Sequence, residues 1–508
     1  MFLKKNIKYF GFVLTATLFI GICFTSADFI RQPFHEFKDF IAIFLQWIIL
    51  LFAAGAIVYL ISINKYVFLV SYPLICILSS ILAYFRYTSG TIFTTMILDA
   101  TLYNDVQTSM DMITPMLILW VIFSLMVSVL LVIYRMKKMN VYKPYIHWIV
   151  SILFFLAVFN IQRIKNPVSE RIPFNLYFIT SRYFSEKQEI HKERASLSEN
   201  IVCPRDDELI VTLVIGESLR PDHLGFNGYH RNTTPYLSNE DIISFPNIYS
   251  EDTYTNVSLP HILTRADSIS PERAYSERSF IDLFNHCGFY SAWLANQEPA
   301  KSYVYFMHEC DTLILANINR SSYVFDYKWV DMDLFPYFEQ ILQKQEKKKL
   351  IILHTIGSHW YYNAHYTDEF QKFNPITKSR IISSCTPEEL INSYDNTILC
   401  TDYFLHHIID QLRGKNAILF YLSDHGENLG EKGMWLHASD SSPAHNPACF
   451  VWMSSGYKES NSDKYTILRK NSGRRYRTDF LFHTITEAAG MKGGVIDHDF
   501  SLFKSSEE

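Results

Sequence analysis

Residues 417–427 read Ala-Ile-Leu-Phe-Tyr-Leu-Ser-Asp-His-Gly-Glu. Six residues with no polar face are followed, after one serine, by a carboxylate and an imidazole. A short run that is apolar on both pleat faces suits a central strand of a parallel sheet covered by helices. Two more runs behave alike: Leu209 to Ile215 ends in Gly216-Glu217-Ser218, and Leu350 to Leu353 leads to Gly357-Ser358-His359. In open α/β sheets ligands bind outside the carboxyl ends of the strands, so these three strand ends are expected to converge on one site.

The convergent set is Glu217, Asp424 and His425. Two carboxylates and an imidazole suit Zn²⁺ with an open position, and Mn²⁺ fits the same donors. One such residue alone has an ordinary explanation as a cap or a loop hydrogen bond, but three together point to a transition metal. A nucleophile is expected as the fourth ligand, from the segment Asp252-Thr253-Tyr254-Thr255-Asn256-Val257-Ser258-Leu259-Pro260. A threonine hydroxyl is nearly inert at neutral pH unless a metal or base takes its proton. At a helix start it would also set phosphoryl oxygens against free backbone N–H groups.

The rest of the chain says where this chemistry takes place. Of the 508 residues 49% are hydrophobic and 16% aromatic, more than a soluble domain carries. Five apolar runs, at 7–25, 41–62, 67–85, 116–134 and 145–162, are each about long enough to cross a ~30 Å hydrocarbon core. Lys4, Lys5, Lys8, Lys65, Arg135, Lys137, Lys138 and Lys143 fall on alternate connections, which makes those sides cytoplasmic. The 86–114 loop, with Asp99, Asp105 and Asp111, then lies outside together with everything after 162. The expected organisation is a transmembrane domain at 1–162, an interfacial linker at 163–205 and an α/β catalytic domain at 206–508. A net charge of -5 and the absence of a Lys/Arg stripe interleaved with aromatics exclude nucleic acid as a partner. None of the 8 cysteines forms a Cys-x-x-Cys pair, which excludes a cysteine metal knuckle.

With these residues in place the chain resembles the lipid A phosphoethanolamine transferases, the colistin-resistance class of the alkaline phosphatase and sulfatase superfamily. The resemblance runs over nearly the whole length. It is carried by V-I-G-E-S from Val214, G-Y-H-R-N-T-T-P from Gly228, T-Y-T-N-V-S-L-P from Thr253, G-S-H from Gly357, I-N-S-Y-D-N from Ile391, S-D-H-G-E-N-L-G-E-K-G from Ser423, L-H from Leu436 and D-F-L-F-H-T from Asp479. It implies five membrane helices followed by a sulfatase-like periplasmic domain, in the inner membrane of a Gram-negative bacterium. By position Glu217, Asp424 and His425 resemble the zinc ligands. Thr255, five residues before Pro260, aligns with the nucleophile and fourth ligand, and Thr253 does not. His359 and His437 resemble the pair that contacts phosphoethanolamine or a second zinc.

The implied reaction moves phosphoethanolamine from phosphatidylethanolamine to a lipid A, core sugar or glycan acceptor through a threonine-bound intermediate, catalysed by a monomer. A phosphatase or sulfatase would use the same metal site, but Thr255 lacks the Cys/Ser-x-Pro-Ser-Arg surround of a sulfatase. A glycerophosphate transferase resembles Gly-Lys-Thr-Ser at its nucleophile. A catalytically dead sensor would not keep every ligand. Glu251 and His261 stand where the lipid A enzymes carry cysteines beside the nucleophile, and Cys310 and Cys385 lack the partners the family implies. Asp99, Tyr103 and Gln107, spaced four apart, fall where the family contacts lipid.

Overall fold

The computed structural model describes residues 2–505 apart from 31, 33–35, 89, 104–112, 162–164, 166, 167, 206, 319–327 and 438. The chain divides into two compact units: Met1–Ser185 with Ile318–Asp326, and Glu186–Asn317 with Tyr327–Glu508.

The first unit is built from apolar helices α1 (Phe2–Cys23), α2 (Phe37–Ile63), α3 (Lys65–Thr88), α4 (Pro115–Lys138) and α5 (Pro144–Asn160). Tyr9, Phe12, Ala16 and Ile20 recur at three- and four-residue spacing and bury one face of α1. On α4 the outer face stays bare, with Leu119, Ile122 and Met126 exposed. Arg135 at the end of α4 donates to the carbonyls of Ser62, Ile63 and Met139 at 2.8, 2.8 and 3.2 Å. It thereby satisfies carbonyls that the end of α2 leaves without helical partners.

Among the described residues four helices are long and apolar enough to cross a membrane: Lys4–Asp28, Phe37–Ile63, Lys65–Thr88 and Pro115–Lys138. The fifth run, expected over 145–162, forms the shorter helix α5 of 17 residues. At 1.5 Å per residue it spans about 25 Å, under the ~30 Å core. The side chains of Asp99 and Tyr103, and all of Gln107, lie outside the described residues.

The second unit is a three-layer α/β domain around a seven-stranded sheet. Its strands are β1 (Leu209–Gly216), β2 (Ile243–Ser244), β3 (Tyr290–Ala295), β4 (Thr312–Leu315), β5 (Lys348–His354), β6 (Ala417–Ser423) and β7 (Cys449–Met453), in the order β2-β7-β6-β1-β5-β3-β4. The pairs β6–β1, β1–β5, β5–β3 and β3–β4 are parallel, whereas β7 runs antiparallel to β6 and to β2. The three runs singled out by composition are the three central strands.

Their period-two alternation feeds two cores. Val211, Leu213, Ile215, Ile418, Phe420 and Leu422 pack on one face, and Ile210, Val214, Ala417, Leu419 and Tyr421 on the other. The second face is covered by the helix Pro387–Leu412, held at its start by a capping box between Thr386 and Glu389. Its Tyr394, Ile398, Phe404, Leu405 and Ile408 are buried there. Truncating one such side chain to Ala costs about 2–5 kcal/mol. A disulfide joins Cys203 to Cys287, a pair the sequence did not disclose, while Cys310 and Cys385 are not disulfide-bonded.

Candidate metal centre

Register decides what meets at the sheet's edge. Gly216 of β1 pairs with Ser423 of β6, so Glu217 and Asp424 emerge side by side, and Asp424 N donates to Gly216 O at 3.0 Å. Ile215 pairs with His354, which brings the turn after β5 to the same edge. Gly357 in that turn has φ +46°, and a Cβ on it would come 3.0 Å from the Glu217 carbonyl oxygen. Ser218 is held at φ 58°, a costly conformation for a residue with a side chain. Its N–H reaches Asp424 Oδ1 at 3.2 Å and its hydroxyl donates to Glu217 Oε1 at 2.7 Å.

Thr255 is the first residue of the helix Thr255–Leu263. Its hydroxyl contacts Asp424 Oδ2 at 2.6 Å and Glu217 Oε2 at 3.0 Å. Ser258, one turn on, donates to the Asp424 carbonyl oxygen and ties the helix to the strand end. His425 completes the group: its Nδ1 lies 2.8 Å from the Gly426 carbonyl oxygen, which fixes the proton on Nδ1 and leaves a lone pair on Nε2. That Nε2 lies 3.3 Å from Asp424 Oδ2 and 3.4 Å from Glu217 Oε1, buried and without a hydrogen-bond partner.

These residues fit a divalent metal. A lone pair aimed at two carboxylates, all fully buried, is repulsive unless a cation stands between them. The Asp424 carboxyl is pushed well above the usual range by burial and by the charge of Glu217. Burial also works to raise Glu217, but the imidazoles of His425, His359 and His437 outweigh it and hold that carboxyl down to about 2. Ligand atoms of Glu217, His425 and His437 lie within 4.8 Å of one another. One proton is therefore contested by a group that a cation of higher charge would satisfy.

His437 and His359 stand at one side of this group. The His437 ring centroid is 4.4 Å from that of His425 and 6.4 Å from that of His359. His437 Nδ1 lies 3.6 Å from Glu427 Oε2; burial lowers the imidazole, but Glu427 prevails and holds it up at about 9. His359 is held below its ordinary value, chiefly by burial. All six residues named from the sequence thus lie in one cluster.

Other members were not evident from sequence. Gln297, in the loop after β3, donates to Glu217 Oε2 at 3.0 Å. Glu427 belongs to the Asp-His-Gly-Glu motif, yet its partnership with His437 depends on the hairpin pairing of Asn428 with Leu436. Asp331 accepts from Ile356 N at 2.8 Å and Gly357 N at 3.0 Å and so positions the His359 turn.

Comparison with known proteins follows the same lines. The Salmonella typhimurium "Phosphoethanolamine transferase EptA" is 32% identical over 304 residues, which are 56% of this chain and 54% of that protein, so the chain spans about half of this relative's length. Lipooligosaccharide phosphoethanolamine transferase A from Neisseria meningitidis, an integral membrane protein, shares the fold with TM-score 0.56 at 24% identity, over 97% of this chain and 98% of that one. The C-terminal periplasmic domain of EcEptC from Escherichia coli, in complex with Zn, shares it with TM-score 0.56 at 23% identity, over 62% of this chain and 92% of that one. The family model described as Sulfatase matches residues 210–491, more than half of the chain. That match, over residues 210–491, shows that the chain belongs to the sulfatase family.

Proposed function

We propose that this chain is a zinc-dependent phosphoethanolamine transferase of a bacterial inner membrane, acting in the periplasm on phosphatidylethanolamine as donor and on a lipid A, core sugar or glycan as acceptor. The observation that carries this is the Thr255 hydroxyl placed 2.6 and 3.0 Å from two buried carboxylates that flank an orphaned imidazole nitrogen. Support also comes from the relatives, which are phosphoethanolamine transferases by name.

Glu217, Thr255, Asp424 and His425 would hold the zinc. When bound, it lowers the pKa of a coordinated hydroxyl and neutralises charge on phosphoryl oxygens. Thr255 Oγ1 bonds to phosphorus, its proton leaving through Asp424, and the ester bond to diacylglycerol breaks. His359 or His437 gives the departing oxygen its proton; His437, protonated at neutral pH, suits that role. An acceptor oxygen then attacks the phosphoethanolamine on Thr255, the bond to Oγ1 breaks, Oγ1 takes its proton back through Asp424, and the same histidine takes up the acceptor's proton. Backbone N–H groups in the first turn of the Thr255 helix face the transferred phosphoryl oxygens.

The test uses full-length protein in vesicles containing phosphatidylethanolamine. Diacylglycerol and modified acceptor are expected in equal amounts, with neither formed by Thr255→Ala. Release of free phosphoethanolamine at the same rate with and without acceptor would make the enzyme a hydrolase.

A further inference from the structure

The first unit contains a cavity of about 620 Å³ that the chemistry above does not use. Ala54 of α2, Leu74 and Leu78 of α3, Phe155 of α5 and Phe174 line it, and the other walls are aliphatic or aromatic except for Ser79, Tyr177 and Lys165. Lys165 is exposed and is the one cation among the described lining residues. The volume is that of a ligand pocket, not of a packing defect. Water finds too few polar partners in such a space, and an empty one forfeits dispersion contacts along its whole wall. The unit's helices place the cavity in surroundings rich in hydrocarbon chains, and a lysine ammonium at the lining is a point charge suited to a phosphate.

We infer that this cavity binds one phospholipid, an acyl chain lying between Ala54, Leu78 and Phe155 and the head-group phosphate on Lys165. The inference is independent of the transferase proposal: a Thr255→Ala chain, inactive as an enzyme, is expected to hold the lipid equally well.

Native mass spectrometry of the full-length protein, extracted in mild detergent, reads it directly. One phospholipid adduct per chain is expected, lost when Leu78→Trp fills the cavity and weakened by Lys165→Glu. It should persist in Leu119→Trp, a residue 62% exposed on the outer side of α4. Should Leu78→Trp not fold, the wild type decides: phosphatidylethanolamine with a diazirine near the chain end, retained through purification, is expected to label 54–58 and 74–79. Equal retention in wild type and folded Leu78→Trp, or labelling confined to the outer face of α4, overturns the inference.

Discussion

His261 Nδ1 lies 2.5 Å from Asp252 Oδ2, joining the loop before the Thr255 helix to that helix's last turn. Thr255 sits between these two residues. Beside it Glu251 pairs with Arg477. Glu251 and His261, which stand where the resemblance places cysteines, thus each have a charged side-chain partner. Breaking the His261 bond with Asp252→Asn is expected to slow transfer while costing only about 1 kcal/mol of stability, because the pair is partly exposed. Chemical denaturation and turnover on the same sample check this. Unchanged turnover would show that this bond does not position Thr255.

The metal assignment predicts bound zinc in purified protein, measured by elemental analysis. Glu217→Gln, Asp424→Asn and His425→Ala are each expected to lower occupancy and activity together, since each removes a donor from a buried charged set. Full occupancy in Asp424→Asn would take Asp424 out of the metal's ligands.

Gly357→Ala tests the backbone geometry. The added methyl meets the Glu217 carbonyl oxygen at 3.0 Å and puts an L side chain at positive φ. The expected cost is about 1–3 kcal/mol, with Glu217 displaced and metal affinity reduced. A stability change with full metal affinity would mean that the turn gives way without moving Glu217.

Asp402 provides a pH signature away from the metal. Its carboxyl accepts from Tyr236 N and Leu237 N at 2.9 Å each, and burial pushes it up to about 7 from 3.8. The folded state therefore holds this proton more tightly than the unfolded chain. The stabilisation is fully present below pH 3.8 and is lost as pH rises through 7. Between these limits its contribution changes by up to about 1.4 kcal/mol per pH unit. Asp402→Asn is expected to flatten this part of the stability profile, measured by denaturation between pH 5 and pH 8 in roughly one-unit steps. An unchanged slope would assign the pH dependence elsewhere.

Much of this was legible in the sequence for a local reason. A strand buried on both faces must be apolar at every position, so β1, β5 and β6 stood out, and the polar residues ending them could only lie at the sheet's edge. Strand β2 has two residues and draws its identity from pairing with Phe450 and Val451, which no local pattern announces. Gln297 and Asp331 reach the site from loops, and Cys203 meets Cys287 across 84 residues, contacts that only the tertiary fold creates. The α5 run was apolar enough to be noticed, but Pro144 and Asn160 bound a helix shorter than its hydropathy implied.

In the proposed mechanism Thr255 carries the transferred group. This is tested most directly by mass spectrometry of the Thr255 peptide after the full-length protein meets phosphatidylethanolamine with no acceptor present. A phosphoethanolamine adduct is expected on Thr255, discharged when acceptor is added and absent from Thr255→Ala, while Thr253→Ala still forms it. An adduct on another residue, or full transfer by Thr255→Ala, would contradict it.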